Sequence, residues 1–506
     1  MGDATAPAHT FQGLGLMRLE CEGAPAQPDT PVRALAVDSR EVKDGDLFVA
    51  IRGTQRDGAE FVQYAVRQGA SGILIPRAGL AVARRDIGSL PVPFFLSETP
   101  RAELARLASV FYPEQPGVIA AITGTNGKTS TAHFLRQIWE AAGLRAAAFG
   151  TTGVEGTGFE EPLKHTTPEP ITLHALLSRL AAKGCTHAAM EASSHGLVQH
   201  RLDGVRLTAA GFSNLSRDHM DYHETHQDYI DAKMRLFDAV LPTDGTAVLN
   251  IDDPVGAVAR DLAVSRGQGI ITVGRADAAL RIGEIHFEHG GQQVVFHWQG
   301  GEYPTRLSLV GAFQADNVAL AAGLAIATRV PAEVVFAALP GLAGVKGRME
   351  HVASRANGAA IYVDYSHTPG ALEAAIAALR PHCAGRLIVV FGAGGDRDPG
   401  KRPLMGRAVA AWADHGIITD DNPRGEDPAT IRAAVREGCP EGEEIGDRAE
   451  AILAGIDALK SPGDCLLIAG KGHEQGQVVG GEILPFDDGE QARAAVIVLD
   501  GMGVGA

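Results

Sequence analysis

A glycine-rich turn that follows an apolar run constrains the fold of this chain more than any other segment. Residues 120–129 have the sequence AAITGTNGKT. Glycines allow consecutive backbone N–H groups to face phosphate oxygens, a lysine here reaches the β- and γ-phosphates, and a threonine hydroxyl can ligate Mg²⁺. The segment therefore predicts a strand, a phosphate-binding loop and a helix. The predicted ATP-binding residues of the loop are Gly124, Thr125, Asn126, Gly127, Lys128 and Thr129.

The spacing of this loop differs from the common phosphate-loop pattern, which would place a glycine at position 122. Ile122 stands there, and Gly124 is the first glycine of the turn. The alternative interpretation is a plain strand-turn-helix joint with a solvated Lys128. We prefer ATP binding, because the segments before and after the turn have the apolar patterns of a strand and a helix.

Composition limits the class of protein. The chain has 506 residues, 45% of them hydrophobic, which is enough for three domains with cores of their own. Its formal net charge of −16 argues against nucleic acid or an anionic membrane as partner. The five cysteines form no C-x-x-C pair, and the sequence shows neither a signal pattern nor an apolar run long enough to span a bilayer. We expect a cytoplasmic monomer that acts on small molecules, without membrane insertion.

Two stretches divide the chain into three blocks. Residues 111–117 are rich in proline and predict one boundary, and the glycine-rich residues 341–347 predict another. The expected domains are residues 1–112, 113–345 and 346–506.

Short apolar runs alternate with helical patterns in the second and third blocks, and this alternation predicts largely parallel sheets covered by helices. The ligands of such sheets lie at the carboxyl ends of the strands. Residues 281–298 do not follow this alternation of strands and helices, and their pattern is typical of a hairpin around Gly290. The predicted elements are a helix at 131–142 and strands at 118–123, 188–190, 246–249, 361–364, 387–391, 416–419 and 465–469.

The loop TGTNGKT at 123–129 resembles that of the Mur ligases, which use ATP to join amino acids to the UDP-linked muramic acid precursor of the bacterial cell wall. The resemblance implies an α/β protein of three domains. These are an N-terminal UDP-binding domain, a central P-loop ATPase-like domain with a mostly parallel sheet, and a C-terminal Rossmann-like domain that binds the amino acid. It also implies ATP as co-substrate and Mg²⁺ as cofactor.

A second motif, MEASSHGLVQHR at 190–201, places a carboxylate directly after a buried strand. Such a carboxylate beside a phosphate loop is well placed to help hold Mg²⁺, although a helix cap or a salt-bridged glutamate is the alternative. The resemblance implies that Glu191 is a catalytic metal ligand, as it does for the hydroxyl of Thr129. It also implies a set of residues that bind the UDP-dipeptide: Ser39, Thr166, Thr167, Ser193, Gln199 and Arg201.

The segment 214–235 contains His219 and His223 four residues apart, which suggests zinc. However, no H-E-x-x-H motif is present, and Mg²⁺ prefers oxygen ligands. The resemblance implies instead that His219 ligates a second Mg²⁺ and that Lys233 carries a carbamate that also faces the metal. A solvated helix lysine is the alternative for Lys233.

The resemblance extends to the remaining nucleotide contacts. Asn317 matches the family segment that meets adenine, while Gln314 stands where the family usually has asparagine. Arg348 and Asp364 match residues near the ribose and phosphates. The run Gly392-Ala393-Gly394 fails as a dinucleotide fingerprint because Arg397 occupies the place of its third glycine, so an oxidoreductase is disfavoured.

The third block carries the motif Asp-Asn-Pro-Arg at 421–424, which matches the signature of Mur ligases that select meso-diaminopimelate. Lysine lacks the distal carboxylate of that amino acid, so its binding would leave a buried guanidinium unpaired. Surface turns with capping charges are the alternative. The residues expected to bind diaminopimelate are Arg397, Asp421, Asn422, Pro423, Arg424, Gly470 and Glu474.

These features together predict an ATP-dependent amide ligase of peptidoglycan precursor synthesis. ATP converts the D-glutamate carboxylate into an acyl phosphate, and the diaminopimelate amine then displaces phosphate. Lys128, Glu191, His219 and Lys233 are the expected catalytic residues, and His219, Asp364 and His367 are candidates for the base. The alternatives are a lysine-adding ligase of the same family, a folylpolyglutamate-type ligase and a nucleotide-binding module without chemistry.

Overall fold

The computed structural model describes residues 9–53, 56–156, 158–216, 223 and 225–502. Three separate sheets follow one another along the chain, and each has buried apolar clusters on both faces. The predicted α/β class with three domains is thus confirmed. The domain boundaries at 112 and 345 stay predictions.

The first sheet has the strand order β2-β7-β6-β5-β4, with β4 to β7 parallel and β2 antiparallel at one edge. Strands β1 and β3 form a separate short pair. The elements are β1 (His9–Thr10), β2 (Cys21–Gly23), β3 (Pro31–Val32), β4 (Leu35–Ala36), β5 (Leu47–Val49), α1 (Val62–Arg67), β6 (Gly72–Ile75), α2 (Leu80–Ile87), β7 (Pro93–Leu96) and α3 (Pro100–Phe111).

The second sheet has 11 strands, counted over its described residues, in the order β11-β10-β9-β12-β8-β13-β14-β15-β16-β17-β18. Strands β9, β12, β8, β13, β14, β15 and β16 pair in parallel. Its elements are β8 (Val118–Thr123), α4 (Lys128–Ala141), β9 (Ala146–Gly150), β10 (Gly153–Gly156), β11 (Phe159–Glu161), α5 (Pro170–Ala182), β12 (His187–Glu191), α6 (Ser194–Val198), β13 (Ala209–Phe212), α7 (His226–Arg235), β14 (Thr246–Asn250), α8 (Pro254–Ser265), β15 (Gly269–Gly274), β16 (Leu280–Glu288), β17 (Gly291–Trp298), β18 (Gly301–Leu307), α9 (Phe313–Ala327) and α10 (Ala332–Ala338).

The third sheet has the order β19-β20-β24-β21-β22-β23 and is parallel except for β19. A hairpin, β25 and β26, lies outside it. The elements are β19 (Glu350–Ser354), β20 (Ala360–Asp364), α11 (Pro369–Leu379), β21 (Leu387–Phe391), α12 (Lys401–Trp412), β22 (His415–Ile418), α13 (Pro428–Arg436), β23 (Glu443–Glu444), α14 (Arg448–Asp457), β24 (Cys465–Ala469), β25 (Gly476–Val479), β26 (Glu482–Pro485) and α15 (Asp488–Met502).

Strand order places the ligand crevices. In the second sheet, β12 lies between β8 and β9, and β13 lies on the other side of β8. The chain therefore runs from β8 toward one edge of the sheet and, after β12, crosses to the other side of β8. The loop after β8 therefore lies at a switch point, where helices diverge and leave room for a ligand. In the third sheet, β24 inserts between β20 and β21 and creates a second switch point.

The predicted elements compare well with the observed ones. Strands at 118–123, 387–391 and 465–469 have the predicted bounds, and the predicted hairpin corresponds to β16 and β17, joined through Gly290. Helix α4 begins at Lys128 rather than at 131, because Gly127 caps the helix and the phosphate loop leads directly into its first turn. Within the described residues, no helix has the length and apolar character needed to cross a bilayer.

Candidate active site

The loop between β8 and α4 depends on two glycines in conformations that L-residues rarely adopt. Gly124 has φ +141° and Gly127 has φ +83°. A Cβ on Gly124 would lie 1.9 Å from Ser213 Oγ, and one on Gly127 would lie 2.1 Å from Asn317 Oδ1. Both positions therefore exclude a side chain by conformation and by space, which keeps the loop close to the ends of β13 and α9.

Two lysines meet at the carbonyl of Gly124. Lys128 Nζ donates to the carbonyl oxygens of Gly124 at 3.0 Å and Thr125 at 2.7 Å, and Lys233 Nζ donates to that of Gly124 at 2.7 Å. Lys233 is 1% exposed and lies 4.4 Å from the centre of the Tyr229 ring. The structure thus brings the loop lysine and the lysine of α7 together at the floor of the loop.

Glu191 joins three segments at the end of β12. Its Oε1 accepts hydrogen bonds from Thr129 Oγ1 at 2.9 Å and from the backbone N–H of Thr151 at 2.8 Å. A Cβ on Gly150 would lie 2.0 Å from the same Oε1, so the end of β9 approaches it closely. The carboxylate of Glu191 and the hydroxyl of Thr129 form a pair of oxygen donors, the ligand chemistry that Mg²⁺ prefers.

The loop that precedes α5 lies beside this carboxylate. Thr167 Oγ1 donates to the backbone oxygen of Glu191 at 2.9 Å and lies 3.0 Å from Ser193 Oγ. Arg201 Nη1 donates to the carbonyl of Thr167 at 2.7 Å, and its Nη2 donates to Gln199 Oε1 at 2.8 Å. Thr166 Oγ1 lies 3.1 Å from Thr151 Oγ1. The predicted UDP-dipeptide residues of the second domain are therefore neighbours.

A cavity of about 470 Å³ unites most of these side chains. Its walls come from the phosphate loop, from the ends of β9 and β12, from the loop before α5, and from the third domain through Arg348. The described lining residues are Thr125, Asn126, Gly127, Lys128, Thr129, Ser130, Thr151, His165, Thr166, Thr167, Glu191, Ser193, Ser194, His195, Arg201, Lys233 and Arg348.

Arg348 reaches this cavity from a platform of aromatic rings. Its guanidinium lies 4.6 Å from the centre of the Tyr365 ring, and that ring lies 5.1 Å from the ring of His473. Burial, aided by the positive charge of Arg348, lowers the pKa of His473. Among the described residues, no group accepts a hydrogen bond from the buried Arg348 Nε. An anion in the cavity would satisfy such a donor.

The other predicted nucleotide contacts surround the loop. Asn317 stands against Gly127, and its Nδ2 donates to Gln314 Oε1 at 3.1 Å. Asp364 ends β20 and accepts hydrogen bonds from the backbone N–H groups of Met349 at 2.7 Å and Ser366 at 2.9 Å. Asp364 therefore fixes the residue that follows Arg348.

The residues predicted to bind diaminopimelate form a second cluster at the carboxyl ends of β22 and β24. Asn422 Nδ2 donates to Glu474 Oε2 at 2.9 Å, and Arg424 Nη1 donates to the carbonyl of Gly395 at 2.8 Å. A Cβ on Gly470 would lie 2.4 Å from Asp421 Oδ2. Pro423 lies between Asn422 and Arg424, and Arg397 lies in the loop after β21, the strand that pairs with β22.

The described lining of the cavity does not include every residue predicted to bind a substrate. Ser39 is buried in the first domain, where its carbonyl accepts from Gln68 Nε2 at 2.6 Å, and it does not belong to the described lining of the cavity. His219 lies outside the described residues.

Three contacts that matter to the site were not predicted from sequence. Thr151 binds Glu191, Tyr229 OH lies 3.1 Å from Thr125 Oγ1, and Lys471 Nζ donates to Asn422 Oδ1 at 3.1 Å. Thr151 closely follows an apolar run, as Glu191 does, so local pattern could have pointed to it. Tyr229 and Lys471 carry no such signal, because their roles depend on tertiary packing.

Family models match three consecutive segments of the chain. Residues 31–112 match "Mur ligase family, catalytic domain", residues 122–325 match "Mur ligase middle domain", and residues 347–472 match "Mur ligase, glutamate ligase domain". The three matches follow one another along the chain in the same order as the three sheets.

Curated relatives are similar along nearly the whole chain. A protein of Chelativorans sp. (strain BNC1) is 49% identical over 468 residues, which cover 92% of this chain and 95% of that protein. One of Agrobacterium fabrum (strain C58 / ATCC 33970) is 50% identical over 471 residues, which cover 93% and 94%. Both are named UDP-N-acetylmuramoyl-L-alanyl-D-glutamate--2,6-diaminopimelate ligase.

A solved structure of a protein with that same name has a TM-score of 0.73 and 32% sequence identity to this chain. The match covers 97% of this chain and 99% of the other. The likeness in fold therefore extends over all three sheets.

Proposed function

This chain belongs to the Mur ligase family, and from that membership we propose that it joins meso-2,6-diaminopimelate to UDP-N-acetylmuramoyl-L-alanyl-D-glutamate, with conversion of ATP to ADP and phosphate. One observation carries the proposal. Relatives named for this reaction are about half identical to the chain over more than nine tenths of its length, the third sheet with its Asp-Asn-Pro-Arg motif included. The chain is an amide-forming, ATP-dependent ligase.

The proposed nucleotide site is the loop between β8 and α4. The first N–H groups of a helix have no intrahelical partner and point toward phosphate oxygens. Lys128 curls back onto the carbonyls of its own loop, so phosphate binding would exchange those two bonds to neutral oxygens for bonds to anionic oxygens. Arg348 adds a second positive charge from the third domain.

Mg²⁺ belongs to the proposal, and the donor set fits it. Thr129 Oγ1 and Glu191 Oε1 would hold the ion, with Lys233 as a carbamate and His219 as the further ligands that the resemblance implies. When bound, Mg²⁺ neutralises charge on the phosphates. Thr151 orients the Glu191 carboxylate through its backbone N–H.

The acceptor substrate is proposed to bind across the loop before α5. The guanidinium of Arg201 is paired with Glu169 at 2.6 Å and anchored by the carbonyl of Thr167. This arrangement orients the guanidinium beside the hydroxyls of Thr166, Thr167 and Ser193, and a substrate carboxylate would replace Glu169 as its partner. Ser39 is the proposed uridine contact from the first domain.

The amino acid is proposed to bind at the ends of β22 and β24. Arg424 would pair with its distal carboxylate, and Glu474 with its distal ammonium. Asp421 is 6% exposed, and within the described part of the chain no donor reaches its Oδ2. An ammonium group of the ligand would satisfy this acceptor. Lysine could also supply that ammonium but has no distal carboxylate for Arg424, so the proposed discrimination rests on Arg424.

His367 fits the role of base better than Asp364 does. Both carboxylate oxygens of Asp364 accept backbone hydrogen bonds, so this side chain has a structural role. His367 Nδ1 lies 2.8 Å from the carbonyl of Tyr365, so Nδ1 carries the proton and Nε2 is the basic nitrogen.

A cytoplasmic location and a monomeric state complete the proposal, since ATP and UDP-linked precursors are cytoplasmic metabolites.

The test measures phosphate release from ATP by the whole protein. We expect release with UDP-MurNAc-dipeptide and meso-diaminopimelate together, and little with lysine in place of diaminopimelate. Lys128→Ala should lower the rate about 100-fold or more, because the lysine offsets charge that develops on the phosphoryl group. Lys460→Ala is the control, since that side chain is 70% exposed and its rate should not change.

The result also separates the alternatives. Equal rates with lysine would contradict the choice of amino acid, and release with a folate and glutamate would favour a folylpolyglutamate-type ligase. Binding of ATP without any release would favour a module that has no chemistry.

A further inference from the structure

A hairpin outside the third sheet contacts the amino-acid cluster. Strands β25 and β26 pair in antiparallel fashion from Gly476 with Pro485 to Val479 with Glu482, and Gly480 and Gly481 form the turn. The hairpin is peripheral, because Ile483 is 72% exposed and Leu484 45% exposed. Its sequence pattern predicted no role for it.

The first strand of this hairpin binds three of the four residues of the Asp-Asn-Pro-Arg motif. Gln477 Nε2 donates to the carbonyl of Asp421 at 2.7 Å, and the N–H of Val478 donates to Asn422 Oδ1 at 2.9 Å. The N–H of Arg424 donates to the carbonyl of Val478 at 2.9 Å. Each of these bonds runs between the hairpin and a different residue of the motif.

Arg424 needs this support, because its backbone has φ +52°. Such a conformation is unfavourable for a residue with a side chain and persists where neighbouring structure imposes it. The N–H of Gly480 donates to the carbonyl of Arg424 at 2.7 Å, so the hairpin holds Arg424 through both of its backbone polar groups. The same conformation directs the guanidinium toward Gly395.

A buried lysine anchors the start of the hairpin. Lys471 has a side chain with no exposed surface, and its Nζ donates to the carbonyl of Gly476 and, at 3.1 Å, to Asn422 Oδ1. It also lies 3.3 Å from Glu474 Oε2. The hairpin, the motif and Glu474 are therefore parts of one polar network.

We propose that the hairpin of residues 476–485 determines specificity by holding Arg424 in its strained conformation, with Val478 and Gly480 as positioning residues. This inference rests on the proposed function, in which Arg424 pairs with the distal carboxylate of diaminopimelate. Loss of the hairpin contact lets Arg424 relax and withdraws its guanidinium from the pocket. Recognition of diaminopimelate then weakens, while lysine, which has no distal carboxylate, is unaffected.

Two adjacent glycines provide a matched pair of variants. Gly480→Pro removes the N–H that donates to Arg424 and cannot adopt the φ +59° of this position. Gly481→Ala changes the neighbouring residue of the same turn, where a Cβ has nothing within 4 Å. Gln477→Met gives a milder change, since it removes the donor to Asp421 and leaves the backbone intact.

The experiment measures kcat/KM for diaminopimelate and for lysine, with KM values for ATP and the UDP-dipeptide. In Gly480→Pro we expect the ratio of kcat/KM for diaminopimelate over that for lysine to fall about tenfold or more, because a charge-recognising group has moved. The KM values for ATP and the UDP-dipeptide should not change. Gln477→Met should lower the ratio in the same direction, and Gly481→Ala should match the wild type.

An unchanged ratio in both Gly480→Pro and Gln477→Met, with active wild-type protein, overturns this inference alone. An equal loss for all substrates also overturns it, because that is the mark of a general structural defect. Wild-type protein without diaminopimelate-dependent phosphate release overturns the proposed function, and this inference with it.

Discussion

At the scale of single residues, buried charges are the most demanding feature of this molecule. The side chains of Arg448 and Asp488 have no exposed surface and form two bonds of 2.7 Å with each other. Arg448 Nη2 also donates at 3.0 Å to the carbonyl of Ala469, the last residue of β24. Removal of one member of such a pair leaves an uncompensated buried charge. The pair therefore supports the strand end that leads to Gly470.

We predict that Arg448→Met lowers the free energy of unfolding by about 3–5 kcal/mol, because Asp488 then lacks its partner inside the protein. Urea denaturation followed by circular dichroism measures the change. The control is Arg380→Met, which breaks a partly exposed ion pair with Asp414 and should cost about 1 kcal/mol or less. Similar losses in the two variants would contradict the assigned role of burial.

At the scale of elements, helix α4 is delimited by two glycines with different surroundings. Gly127 caps its start at φ +83°, where a Cβ would meet Asn317. Gly143 follows its end at φ +78°, where a Cβ would have nothing within 4 Å. The N–H groups of Gly143 and Leu144 donate to the carbonyls of Glu140 and Trp139, the pattern of a Schellman motif.

We predict that Gly127→Ala raises the Kd for ATP about tenfold or more, since the added methyl group displaces both the loop and Asn317. Gly143→Ala should cost about 1 kcal/mol of stability through backbone strain and leave the Kd unchanged. Isothermal titration with ATP and a urea denaturation curve test the two effects. A normal Kd in Gly127→Ala would contradict the fit between the loop and α9.

The sequence was most informative about individual strands and helices. Strands 118–123, 387–391 and 465–469 are continuous apolar runs closed by polar or glycine residues, so their bounds follow from local pattern. The hairpin of 476–485 was missed, since its residues are half-buried or exposed and its contacts with Arg424 join segments far apart in sequence. Edge elements of this kind carry a weak periodic signal.

At the scale of the whole molecule, His382 joins the third domain to the second. The N–H of Gly311 donates to His382 Nε2 at 3.0 Å, and His382 Nδ1 lies 2.9 Å from the carbonyl of Glu288. The ring must be neutral to accept at Nε2 and donate at Nδ1. Burial lowers the pKa of His382, and this effect outweighs the hydrogen bond to the Glu288 carbonyl, which acts to raise it. Protonation of His382 would place an Nε2–H donor opposite the backbone N–H donor of Gly311.

The sign of the pH effect follows from linkage. Because the pKa of His382 is lower in the folded protein than in the unfolded chain, its contribution to stability is present above about pH 6.5 and is lost as the pH falls below it. We predict that the urea concentration at the midpoint of denaturation decreases when the pH is lowered from about 7.5 to about 5.5. The His382→Gln variant should show a smaller decrease.

The matched control is His286→Gln, because the His286 side chain is 72% exposed. In this variant the midpoint of denaturation should decrease with pH as much as it does in the wild type. Burial also lowers the pKa of His174 and His351, so His382→Gln should remove only part of the effect. If the midpoint of the His382→Gln variant decreased as much as that of the wild type, the role assigned to the His382 contact between the domains would be contradicted.

The α/β class, the phosphate loop, the carboxylate after β12 and the Asp-Asn-Pro-Arg motif could be predicted from the sequence, because each consists of contiguous residues whose chemistry depends on local order. Which of these features meet depends on the folded chain. Asn317 lies against Gly127, Lys233 reaches Gly124, and Val478 and Gly480 bind Arg424, although each pair is far apart along the chain. Packing of sheets and loops, rather than local pattern, brings such residues together, and a sequence period carries no information about the partner.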